Sequence, residues 1–236
     1  MGAVAKAVKW QMLIAYAGGG YGPPVTVQIY SDPGHVLTTV DGDVARAGTN
    51  LTWADVHDGA GTVRTYGDVS FYVWISADGL PSRWAQITRM KATFNLASIP
   101  PTAIIQAVSY YFYVTNKYCG FPVTPSYALY TSRVPPWNDV VLADYQGFGN
   151  SALSNSLGYS QIVAGAFNHL DVTEANLPLF VPGQKVALAI REANFDAKNI
   201  PPTWTRYQSM YFSARCVDWI TPAQRPYLQV TYQPLL

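Results

Sequence analysis

Residues able to do chemistry are few in this chain, and they are scattered. His35, His57 and His169 are the only histidines, and none sits in a G-x-S-x-G or H-E-x-x-H pattern. Glu174 and Glu192 are the only glutamates, in separate segments. Hydrolysis needs a nucleophile with its base, or two facing carboxylates. This spacing offers neither, so a non-enzymatic role is expected. The aspartates do cluster: Asp41-Gly42-Asp43 is followed by Asp55 and Asp58 in one polar stretch. Clustered oxygens suit calcium, which makes it the one cofactor these four admit. A glycine between two aspartates is also what a plain turn uses. No C-x-x-C and no paired histidines give a zinc signature. Cys119 and Cys216, the only cysteines, could form one disulfide or stay as two buried thiols. Trp53, Trp74, Trp84, Trp137, Trp204 and Trp219 are flat apolar rings with one polar handle each. Exposed beside polar groups they would be glycan platforms; otherwise they are core or subunit contacts.

The elements that must position these residues read as strands. Arg89 to Val114, RMKATFNLASIPPTAIIQAVSYYFYV, is the organising stretch. Met90, Ala92, Phe94 and Leu96 alternate with Arg89, Lys91, Thr93 and Asn95, the period of a half-buried strand. Ser98-Ile99-Pro100-Pro101 stops it, because proline has no N–H for a ladder. Val108, Tyr110, Phe112 and Val114 then restart the pattern, and the two strands are expected to form a hairpin-like centre. Further alternation marks strands at Val25–Ile29, Val69–Ile75, Tyr127–Thr131, Ala166–Val172, Val186–Ile190, Met210–Ala214 and Leu228–Tyr232. Asp32-Pro33-Gly34, Asp78-Gly79 and Pro182-Gly183 are turn signals. Residues 40–68 look like a long connection or short edge strands. Asn138 or Asp139 is expected to cap one helical turn through Ala143, and Thr173 a short helix. The expected architecture is an all-β antiparallel sandwich, a jelly roll of nine or ten strands with one or two short helices. Residues 1–24 form an N-terminal arm, and residues 25–236 a single domain.

Composition narrows the classes. Of 236 residues, 49% are hydrophobic and only 12% charged, against about 25% in an average soluble domain. So few charges leave large surfaces to bury against other subunits. A net charge of +1 without a basic run argues against nucleic acid. No apolar run reaches the ~20 residues of a spanning helix, so no membrane insertion is expected. Ala15-Tyr16-Ala17 resembles a signal cleavage site, but the preceding apolar stretch is short and contains Gln11.

Four segments carry a resemblance: LTWADVHDG, the Arg89–Val114 stretch, VALAIREANFDAKNIPPT and MYFSARCVDWITPAQRPYLQVTY. Over about residues 40–233 the chain resembles the jelly-roll domains of the DNRLRE and disaggregatase-related type. These occur in bacterial surface proteins and as stand-alone phage virion proteins. One departure is Phe94-Asn95, where that pattern has Phe-Asp, so a carboxylate role there lapses. The resemblance implies a virion location and a structural protein, decorating the capsid or attached to the tail. Partners would be copies of itself, a trimer being one arrangement, and other virion proteins. Host glycans are the partner under a carbohydrate-binding reading. A third reading is a secreted surface or matrix protein, marked by a Cys119–Cys216 disulfide. Arg191 and Arg225 stand beside landmarks of the pattern. Ion pairs or hydrogen bonds to loop carbonyls are expected there, since arginine offers five fixed donors.

Overall fold

The computed structural model describes residues 20–32, 39–66, 70–132 and 135–236. Most of the N-terminal arm, His35, the Pro33-Gly34 turn and Val69 lie outside the described residues. The strands are β1 Val25–Ile29, β2 Asp41–Leu51, β3 Val63–Tyr66, β4 Ser70–Ala77, β5 Trp84–Asn95 and β6 Ile104–Cys119, then β7 Ser126–Thr131, β8 Leu157–Gly158, β9 Ala166–Asp171, β10 Lys185–Glu192, β11 Ser209–Arg215 and β12 Tyr227–Gln233. Among the described residues one α-helix, α1, spans Trp53–Asp58, and 3₁₀ turns lie at Leu142–Gln146, Glu174–Leu179 and Pro222–Gln224. Pairing is antiparallel throughout, which makes the molecule an all-β, jelly-roll-like sandwich.

Its two layers arise because the two longest strands change partners midway. One edge of β5 takes β4 against Trp84–Thr88 and then β10 against Met90–Asn95, while the other edge carries β2. Strand β6 does the same, taking β12 against Ile104–Tyr111 and β11 against Val114–Cys119, opposite β9. The first layer is thus β3-β2-β5-β10-β7-β8. The second holds β1, β12, β6, β9, β11 and β4, and the far end of β4 joins the two. The expected hairpin of β5 with β6 is therefore wrong in its pairing. The proline turn carries the chain across the sandwich, and the two apolar faces meet through the core rather than edge to edge. Phe94 and Tyr110 approach to 5.7 Å between ring centres, Tyr127 and Phe212 to 4.8 Å. Each such fully buried ring contributes on the order of 2 kcal/mol of transfer free energy.

Residues 40–66 also hold more regular structure than their composition suggests. Strand β2 runs for 11 residues and pairs with β5 from Asp41 to Leu51. Polar residues fill it because a long partner satisfies its backbone. Gly42 sits where β3 comes close, since a Cβ there would lie 2.2 Å from Thr65 O. Helix α1 follows, started by a capping box: Asp55 N donates to Thr52 Oγ1, and Thr52 N to Asp55 Oδ2. The turn expected through Ala143 falls at Leu142–Gln146, capped by Asp144 reaching back to Val141 N rather than by Asn138 or Asp139. The helix after Thr173 is a 3₁₀ turn, and the Thr173 hydroxyl donates to Leu153 O instead of capping it.

The largest departure concerns the polar side of β5. Arg89, Lys91 and Thr93 are buried, not half-exposed. Segments far along the chain cover the outer face of the first layer. Val56 from α1, Tyr145, Phe148 and Ala197 build a second apolar cluster there with Val44, Ile87, Tyr130 and Ala189. Buried charges persist only when paired, and these are.

Candidate functional site

Two features bear on function: a buried charge network under the covered face, and a partly exposed aromatic face on the second layer. The network centres on Asp196, 1% exposed, in the loop after β10. Glu192 shapes that loop, accepting the backbone N–H groups of Ser126, Asn194, Phe195 and Asp196. This bend returns Asp196 to its own strand. There it accepts Arg89 Nε and Nη2 from β5, the latter at 2.6 Å, and Arg191 Nε at 2.9 Å. Arg191 also donates to Gly149 O and Asn150 Oδ1, and Arg89 to Tyr145 O. His57 donates through Nε2 to Asp196 O at 2.7 Å, with Nδ1 2.5 Å from Asp58 Oδ1.

The electrostatics divide three buried carboxyls. Burial alone would push Asp196 up, but the Arg89 and Arg191 charges outweigh it and hold Asp196 well below the usual range. Burial pushes Glu192 up to about 7 despite its backbone donors. Burial likewise pushes Asp41 up to about 7, where Val217 N–H is its main compensation.

A pocket of about 220 Å³ opens over the network, lined by His57, Asp58, Arg89, Gln146, Phe148, Asn150 and Arg191. Both guanidiniums are occupied by Asp196 and by loop oxygens, and no serine, threonine or cysteine lines the pocket. Its groups clamp loops to the sheet. Sequence reading singled out Arg191 but not Arg89 or Asp196. The signal was present: Arg191 and Asp196 are five residues apart in the same REANFD segment, joined by a turn.

The four calcium candidates go to separate tasks. Asp41 accepts from Val217 N, Asp43 from Tyr72 N, Asp55 closes the capping box and Asp58 meets His57. No group of three potential ligands gathers among the described residues. Arg225 Nε donates to Trp219 O. His169 stacks on Tyr111, far from His57 in the fold. Cys119 and Cys216 form no disulfide with each other, and burial pushes the Cys119 thiol up.

The six tryptophans also disperse. Trp84 is buried, with Trp53 edge-on at 5.0 Å. Trp53 Nε1 donates to Asn199, Trp204 Nε1 to Arg83 O and Trp219 Nε1 to Gln224. Lys185 lies over Trp137. Only Trp74 belongs to an outer row. It is directly opposite Tyr211, which is opposite Tyr118, at 5.6 and 5.9 Å between ring centres. Tyr72 adjoins the row, and Tyr72 and Tyr118 are 40% and 43% exposed. Along the same layer Tyr227, Tyr111 and His169 stack across three strands, with Tyr30 at one end. Outward positions of β4 (Tyr72, Trp74, Ser76) and β12 (Tyr227, Gln229, Thr231, Gln233) carry no charge. Neither the family models nor the curated proteins searched contain a match to this chain.

Proposed function

We propose that this protein is a structural component of a bacteriophage virion, decorating the capsid or attached to the tail. It works by adhesion: the second layer buries its outer face against copies of itself or neighbouring virion proteins. The observation that carries this reading is the Trp74–Tyr211–Tyr118 row with Tyr72, an uncharged aromatic surface on the outer side of the second layer, with Tyr72 and Tyr118 exposed and Trp74 and Tyr211 half-buried. Tyrosine and tryptophan give large contact area at low entropic cost, and stable interfaces of about 1,200 Å² or more favour them. The resemblance of the sequence to virion jelly rolls points the same way. Light scattering during gel filtration is the test. A concentration-dependent homo-oligomer that Tyr211→Ser weakens is expected; a monodisperse monomer at high concentration would sink the proposal.

A carbohydrate-binding role remains the second reading, because the Trp74–Tyr211 surface has amide neighbours. Asn116 Nδ2 donates to Tyr211 OH, and Gln208 Oε1 accepts from Tyr118 OH. It predicts affinity for host-surface glycans that Trp74→Ala abolishes without changing the oligomer.

A further inference from the structure

In the pocket over Asp196 the donors are already taken by the protein's own loops. A cleft beside β9 is built the other way. It encloses about 360 Å³, within the range of small-ligand sites, and its exposed polar and aromatic lining is Asn155, Ser156, Gln161, Phe167, His169 and Asp171. One wall is a strand edge. Strand β9 pairs with β6 on its other side, where Val172 N donates to Val108 O just beyond the strand. Alternate residues of an antiparallel strand aim their backbone groups to opposite edges. Asp171 O accordingly points away from β6 and accepts Asn155 N. By the same alternation the N–H and C=O groups of Phe167 and His169 point to the cleft side, and no described strand pairs with that edge. The opposite wall is held in place by side-chain amides. Asn168 Oδ1 accepts Val163 N, its Nδ2 donates to Val163 O, and Gln161 Oε1 accepts Gly158 N. Among the described residues the Asn155 amide, the Ser156 hydroxyl and Gln161 Nε2 have no bonded partner, so the cleft is preformed and its polar groups are available.

We propose that this cleft binds a neutral saccharide carrying acetamido groups. Among the described residues its lining holds the Asp171 carboxylate and no lysine or arginine, so an anion would find no counter-charge there. Sugar hydroxyls donate and accept at once, which suits two amides, a hydroxyl and a carboxylate. Asp171 is anchored through Oδ1 by Ser109 Oγ at 2.6 Å, and its Oδ2 lies 3.5 Å from His169 Nε2. Phe167, 36% exposed, and His169, stacked on Tyr111, offer flat faces to the C–H side of a sugar ring. An acetamido group has the N–H and C=O of a peptide unit, so it can pair with the open edge of β9 as an added strand would. Asp171 also borders a hollow of about 500 Å³ with Gln106, Ser109 and Glu174, which gives a second sugar ring room to continue. This inference stands apart from the virion reading, and it places the saccharide elsewhere than the Trp74–Tyr211 surface.

Saturation-transfer NMR and calorimetric titration of the full chain with chitotriose, a trimer of N-acetylglucosamine, are the test. Binding with a Kd on the order of 1 mM or tighter is expected. Maltotriose, which has the hydroxyls but no acetamido group, should bind about tenfold more weakly. Asn155→Ala combined with Asp171→Ala should cost chitotriose at least about tenfold in affinity, with thermal unfolding nearly unchanged because both side chains are exposed. If that variant fails to fold, Ser156→Trp, which fills the cleft from an exposed loop position, should give the same loss. Trp74→Ala should leave the affinity as it was. The proposal is overturned by a chain that does not bind chitotriose, by affinity equal to that for maltotriose, by binding that survives the cleft variants, or by binding lost in Trp74→Ala. The oligomeric state is untouched by any of these results, so the virion reading stands or falls separately.

Discussion

The outer faces of the two layers are built on the same strand geometry and end in opposite states. On the first layer, Arg89, Lys91, Thr93 and Arg191 point outward from β5 and β10, yet the chain covers them with α1, the Leu142–Gln146 turn and the Asp196 loop. On the second, Tyr72, Trp74, Tyr211 and Tyr118 point outward, and no described segment covers them. The more polar face is buried, and the more aromatic face is partly exposed, through Tyr72 and Tyr118 above all. Side-chain polarity alone does not decide burial. The charged face has acidic partners elsewhere in the chain that neutralise it; the aromatic face has no such cover among the described residues.

The largest effect should come from removing the acid that two arginines share. Asp196→Ala leaves Arg89 and Arg191 buried together without their counter-charge, and a loss of about 3–5 kcal/mol is expected in urea unfolding. An effect below that of a surface substitution would mean water reaches the network and the covering is loose.

Next in size is the dependence on pH. Asp41 and Glu192 are raised to about 7 in the fold, so the stability they contribute is complete below their ordinary values near 4 and is lost as pH rises through about 7. Asp196 is lowered, so its contribution is complete above its ordinary value and is lost as pH falls. Thermal unfolding across pH should therefore show a maximum near pH 4, with a fall on the order of a few kcal/mol as pH rises from about 4 to about 7. Asp41→Asn should flatten that fall.

A smaller effect tests how the cover is fastened. Thr52→Ala removes the capping box of α1 and should cost about 1 kcal/mol. Hydrogen exchange should then speed up in α1 more than in β5. Smallest of all, Tyr211→Ser on the bare face should change monomer stability by no more than about 0.5 kcal/mol. Its consequence belongs to association: weaker self-assembly with unchanged unfolding would separate a binding face from a structural one.

Much of the fold is legible from local pattern. Alternation located β1, β7 and β9–β12, and Asp78-Gly79 marked the turn between β4 and β5, because strand period and turn chemistry act within a few residues. Two things escaped. The 11-residue β2 reads only as part of a long connection or short edge strands, since Gly, Asp and Thr have weak strand preference and pairing with β5 holds them extended. The Asp196 node escaped because Arg89 lies 107 residues away, and nothing local in an arginine says whether a partner waits.

The sequence by itself determined most of the segments that extend, several of the turns between them, and that two faces of β5 differ in polarity. Those properties follow from backbone sterics and side-chain alternation over short distances. Tertiary structure alone decided that β5 and β6 face each other instead of pairing, that the charged face lies under cover, and that among the described residues the tyrosine face is left partly exposed. Each of these depends on contacts between residues far apart along the chain, and the balance of desolvation against pairing that settles them exists only once those residues meet.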